Sequence, residues 1–146
     1  MIAVGALVTI GGCLGAAIAD ARTGLIPDAV TRTTALAALG CAIANGVAPR
    51  ACGGAYAVGG ALLGLHLLTR GRGLGLGDVK LGTAIGAGLG PAAGTVALGA
   101  AFVLGAAYAS WLLLTGRARR GDTIRFGPFL AAGTVVAALV SAVVFA

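Results

Sequence analysis

Four acids occur in this chain of 146 residues, and all are aspartates: Asp20, Asp28, Asp78 and Asp122. Two of them adjoin long uncharged runs. Asp20 closes an apolar stretch that begins at Ile2, and Asp78 ends the glycine-rich hinge Gly73-Leu74-Gly75-Leu76-Gly77-Asp78 and opens another. Ionisable groups at membrane depth are rare and carry a functional expectation. Two carboxyls sharing a low-dielectric pocket cannot both ionise cheaply, so they hold one proton between them. Such a pair does general acid–base work: the ionised member takes a proton from water, the protonated member donates to a carbonyl oxygen, and the roles then reverse. The pair titrates as a unit, so the proton is assigned to neither aspartate. On position alone, helix capping by Asp20 and Asp78 explains them equally well.

The segments that must position these groups are set by composition. The chain is 59% hydrophobic and 10% charged, with 27 glycines and a mean hydropathy of +1.05. A domain of this size has too little interior to hide that much apolar surface, which implies an integral membrane protein. Small residues suit helices that approach closely where lipid offers no hydrophobic driving force. The fold expected is an all-α membrane protein: one domain over residues 1–146, built as a bundle of about six transmembrane helices. The spans fall at about 2–19, 31–48, 51–69, 79–90, 92–115 and 128–146. The first run contains Ala17-Ile18-Ala19, of signal-cleavage form, but no Lys or Arg precedes Arg22, so it is read as a retained span.

Turn chemistry separates the spans. Gly24 and Pro27 break the chain after Asp20, and Pro27-Asp28 suits the first turn of the next helix. Asn45-Gly46 and Pro49-Arg50 end the second span. The 37 residues from Val79 to Thr115 contain Lys80 as their only charge. They are too many for one crossing of about 20 residues, and Gly90-Pro91 supplies a break. The 12-residue piece before it is short for a full crossing.

Charge placement supports six spans. The net charge is +6, and Arg22, Arg32, Arg70, Arg72, Lys80, Arg117, Arg119, Arg120 and Arg125 fall on one side, leaving Arg50 alone on the other. Nine of ten positive charges therefore lie on the face expected to be cytoplasmic, and both termini would lie outside. A single span over 79–115 would carry the last basic loop across the membrane. The same count reads the charge as a topology signal, so nucleic acid is not an expected partner. Asp20 and Asp78, separated by two crossings, would return to one face at one depth. The three cysteines, Cys13, Cys41 and Cys52, form no CxxC pair and are read as buried small residues; no metal or other cofactor is expected.

Three motifs in order carry a resemblance: Asp20 with Ile26-Pro27-Asp28, then Gly75-Leu76-Gly77-Asp78-Val79-Lys80-Leu81, then Phe126-Gly127-Pro128-Phe129-Leu130-Ala131-Ala132-Gly133. In combination the chain resembles the type IV prepilin peptidases, GxGD aspartyl proteases of bacteria, over essentially its whole length. The resemblance implies that Asp20 and Asp78 are the catalytic pair. It implies removal of the short basic leader of type IV or Flp-type prepilins at the cytoplasmic face of the inner membrane. The substrate would pair that leader with a hydrophobic helix, and lipids would be the other partner. With no CxxC pairs, the chain resembles the short Flp/Tad-type form, and methylation is not expected. The residue before Asp20 is Ala19, unlike the YD motif of presenilin-like proteases.

The remaining candidates are site-shaping ones. Gly75 and Gly77 would let a substrate strand approach the backbone, and Pro27, Gly127 and Pro128 would shape helix entries. Asp28 is assigned to the helix dipole, Lys80 to snorkelling or structure and His66 to helix packing, while Phe126 and Phe129 would sit at the membrane interface. Two other readings compete. A pilus or secretion assembly subunit without activity has no need to keep both acids. A proton-coupled transporter would place its carboxylates near the midplane rather than at one edge.

Overall fold

The computed structural model describes residues 2–71, 73–117, 119 and 124–144. Arg72, Arg120 and Asp122, and the last two residues of the sixth expected span, lie outside the described residues. All regular structure among them is helical: α1 (Ile2–Thr23), α2 (Asp28–Ala44), α3 (Ala48–Leu68), α4 (Leu76–Leu114) and α5 (Gly127–Val144). Three of these are long and apolar enough to cross a membrane: α1 from Val4, α3 and α4.

Most boundaries follow from local chemistry. α1 ends where Gly24 turns to φ 72° and returns its N–H to the Asp20 carbonyl (2.8 Å). This is the left-handed stop that glycine adopts without a Cβ penalty. Asp20 thus lies inside the last turn of α1, not beyond it. Pro27 is the N-cap of α2, one position earlier than expected, and Asp28 is the acid in the first turn. Asn45 caps the other end, its side-chain amide donating to the Cys41 carbonyl (2.6 Å). Pro49 does not close α2. It sits in the first turn of α3, where a missing N–H costs no helical bond.

The break expected at Gly90-Pro91 is present, although hydrogen bonding runs on either side of it. Gly90 takes φ 79° and ψ 177°, outside helical space. A Cβ built on Gly94 would lie 3.3 Å from the Gly86 Cα, whereas eight residues of unbroken helix span about 12 Å. α4 therefore folds back on itself as two arms, 76–89 and 91–114.

α4 is the one helix, among those described, that touches all four others; its largest contact is with α3, then with α5. Glycine makes this possible. At Gly54 of α3 and Gly86 of α4, a Cβ on either would collide with the backbone of the other. Backbones this close gain dispersion over their whole length, the main source of attraction between helices in lipid. Leu62, Leu81, Ile85 and Leu130 fill the interior, while Leu7, Leu36, Leu67 and Leu114 point outward. Buried hydroxyls are satisfied within their own helices: Thr9, Thr34 and Thr134 donate to the carbonyls of Gly5, Val30 and Leu130. This back-bonding removes the cost of an orphan donor.

Two of the three cysteines differ from expectation. Cys13 is buried and accepts from the Thr134 hydroxyl, but Cys41 is half-buried and Cys52 is exposed. Cys52 lies on the outer side of α3, where a small apolar side chain faces outward without penalty.

Candidate active site

The elements that carry the three motifs meet at one end of the bundle. Asp20 is at the close of α1, Asp78 is in the first turn of α4, and Gly127 opens α5. Both carboxyls are buried, with Asp20 6% and Asp78 9% exposed. Gly88 packs on Thr9 and Gly5 near the far end of α1, so α1 and the first arm of α4 run antiparallel and return both carboxyls to the same end of the bundle.

Each carboxyl is held by one backbone donor, from different sources. Asp78 Oδ2 accepts the Gly75 N–H at 3.2 Å. That is the reach-back of a residue in the third helical position to its own N-cap. Asp20 Oδ2 accepts the Gly127 N–H, also at 3.2 Å, from a helix more than a hundred residues away. A Cβ on Gly127 would lie 2.7 Å from that oxygen, so the approach requires glycine.

Of the site-shaping candidates, Gly75 has φ −76°, an extended conformation open to any residue, and it is exposed at the rim. Gly77 packs against Ile26: a Cβ there would stand 3.1 Å from that of Ile26. Its observed contact is with the Ile26-Pro27-Asp28 segment, which it joins to the head of α4. Pro128 follows Gly127 in the first turn of α5, where it loses no hydrogen bond.

Lys80 and Asp28 form one unit. Lys80 Nζ donates to Asp28 Oδ1 at 2.6 Å, and Arg32 lies 3.5 Å from the other oxygen. The pair is half-exposed and ties the head of α2 to the head of α4. Asp28 thus does more than meet a helix dipole, and Lys80 is turned to a protein carboxylate.

Two residues have roles that the residue pattern did not show. His66, assigned to helix packing, has Nδ1 2.7 Å from the Leu74 carbonyl. A carbonyl only accepts, so the imidazole proton is on Nδ1, and it pins the loop that leads into Gly75. Arg125 reads along the chain only as a topology charge. Its guanidinium Nη1 donates to the carbonyls of Asp20 (3.0 Å) and Ala21. No spacing along the chain signals a contact over so many residues. Phe126 and Phe129 are half-buried, with Phe126 stacked on Phe102 and Phe129 on Tyr108 (centroids 5.0 and 5.5 Å). They seat the start of α5 on the second arm of α4.

No three His, Cys, Asp or Glu side chains among the described residues are grouped to hold a metal ion. A cavity of about 190 Å³ lies at the other end of the bundle, between Asn45, Arg50 and Gly90, and neither Asp20 nor Asp78 lines it.

No curated protein and no solved structure matches the chain. The sequence profile of the type IV leader peptidase family matches residues 7–110, which include both buried aspartates and the hinge between Gly73 and Asp78. With its apolar helices, the chain is a multi-pass membrane protein of protease type. It belongs to the type IV leader peptidase family.

Proposed function

We propose that the chain is an intramembrane aspartyl endopeptidase with Asp20 and Asp78 as its catalytic pair. Its substrate is a type IV or Flp-type prepilin, from which it removes the short basic leader at the cytoplasmic face of the inner membrane. The observation that supports this best is the placement of two buried carboxyls, from α1 and α4, at one end of the bundle. One carboxylate takes a proton from water as the water oxygen attacks the scissile carbonyl, and the protonated partner donates to the carbonyl oxygen. Collapse of the tetrahedral diol breaks the C–N bond. The amine leaves with the proton the first carboxyl had gained, and the partner regains its own. Water is thereby split between an acid and an amine, and the pair returns to its starting state.

The membrane arrangement proposed with it is a single domain of six crossings, with α4 supplying two, and both termini outside. The two acids sit together at one end of the helices, as a peptidase working at a membrane surface requires. A transporter relay would favour the midplane. The exposed rim at Gly75 and Leu76 lies beside Asp78 and offers the approach for a substrate strand.

The test is co-expression with a tagged prepilin from the same genome's pilus cluster, following leader removal by gel shift and mass spectrometry. Asp20→Asn and Asp78→Asn keep shape and remove charge. Cleavage by wild type and by neither variant, with all three inserted at equal levels, is the expected result. Wild-type cleavage by either variant rejects that aspartate. Failure of wild type on every pilin-like partner favours a non-catalytic assembly subunit.

A further inference from the structure

We propose that Arg125 is a positioning residue for Asp20, acting through the backbone at the end of α1. The last carbonyls of any helix lack intrahelical partners. In α1 two of these, from Asp20 and Ala21, receive Nη1 of Arg125. The Asp20 carbonyl also accepts the Gly24 N–H. The guanidinium lies across Gly24, where an added Cβ would be 3.4 Å from Nη2. Gly24 thus stops α1 with a left-handed turn, and the arginine crosses it at ordinary contact distance.

The consequence for Asp20 comes two residues later. Gly127, next but one to Arg125, donates its N–H to Asp20 Oδ2. The segment 125–127 therefore grips Asp20 at two points, by its main-chain oxygen and by its carboxylate. With the first fixed, the second cannot swing without distorting the entry of α5, which Phe126 and Phe129 seat against Phe102 and Tyr108. A cation at a helix C-terminus is also favoured by the helix dipole. Nη1 of Arg125 is committed to these two protein carbonyls.

The inference rests on the reading of Asp20 as a catalytic carboxyl. Its test combines kinetics with a measurement that needs no activity. Prepilin cleavage would be followed with purified wild type, Arg125→Ala and Arg125→Lys in detergent. Displacing a reacting group by an ångström costs on the order of a hundredfold, so Arg125→Ala is expected to lower kcat by about ten- to a hundredfold with KM unchanged. Lysine retains the charge but not the planar fork, and is expected to restore part of the rate. Amide exchange by mass spectrometry would be followed on the same proteins for peptides covering 20–26 and 124–130. Faster exchange in both peptides is expected for Arg125→Ala and not for Arg32→Ala, which removes a charge from the same end of the bundle.

An unchanged kcat in Arg125→Ala overturns the proposal, as does a rise in KM alone, which would mark a substrate contact. Full recovery by lysine overturns it too, since charge alone would then suffice. Should Arg125→Ala fail to insert, Arg125→Gln replaces it with the same expectations. If wild type cleaves no prepilin, the proposed activity falls; the exchange data then decide separately whether Arg125 fixes the surroundings of Asp20, and unchanged exchange rejects that as well.

Discussion

The two buried aspartates are held by opposite strategies. Asp78 is fixed from nearby in sequence: its carboxylate bonds to the Gly75 N–H, and His66 pins Leu74 just before it. Asp20 is fixed from far away, by Gly127 on its carboxylate and Arg125 on its main chain. A carboxylate held by its own helix cap is set as soon as that helix forms. One held by another helix is set only when the bundle closes. The pair is thus complete only in the assembled fold, so the proposed proteolytic chemistry would be confined to the finished protein.

This contrast can be broken experimentally. The largest effect is expected at the acids themselves: Asp20→Asn and Asp78→Asn should each lower leader cleavage by at least about a thousandfold, on the scale of lost acid–base catalysis, with equal membrane levels on immunoblots. The next separates the two strategies. Gly127→Ala places a methyl 2.7 Å from Asp20 Oδ2, whereas Gly75→Ala meets Asp78 Oδ2 at an ordinary 3.5 Å. The first should lower kcat by about a hundredfold through displaced geometry, and the second by only a few-fold at the same scale. Equal losses in a side-by-side kinetic assay would falsify the distinction.

Smaller effects sharpen it. His66→Ala removes one hydrogen bond to the hinge, whose net worth is about 0.5–1.5 kcal/mol. A loss of about fivefold in rate follows if that energy is spent on the position of Asp78. His66→Phe, which keeps bulk without the donor, should behave like alanine. The smallest change is expected at the half-exposed Lys80–Asp28 pair, because solvent screens such contacts. Lys80→Asp and Asp28→Lys should each cost about two- to fivefold in cleavage, and the double exchange should recover most of it. No recovery would mean that the two residues act separately.

Much of this arrangement was legible along the chain. Asn45, Gly24 and Pro27 mark helix ends through backbone rules that operate over a few residues, and they do so in the structure. The break at Gly90 follows from the length of the apolar run and its Gly-Pro pair, with charge placement in support, and is present as a non-helical glycine. The closeness of Asp20 and Asp78 was a possibility that the topology allowed. Other features were not legible. Lys80 reads along the chain as a snorkelling or structural side chain, and nothing there names Asp28 as its partner. Arg125 reads as a topology charge, and His66 as helix packing. In each case the acceptor that gives the residue its role lies on another segment, or across a loop whose path is not encoded by periodicity.

What the sequence determined by itself is therefore the set of local states: which runs are helical and where most of them stop. These depend on backbone sterics, propensity and apolar length, all of which act between near neighbours. Only the tertiary structure decided that Gly127 would present its N–H to Asp20, that Arg125 would close over Gly24, and that α4 would fold back at Gly90 to bring Gly94 against Gly86. Those outcomes depend on backbones approaching where side chains are absent. Whether two glycines face each other is a property of the packed bundle, not of either segment alone.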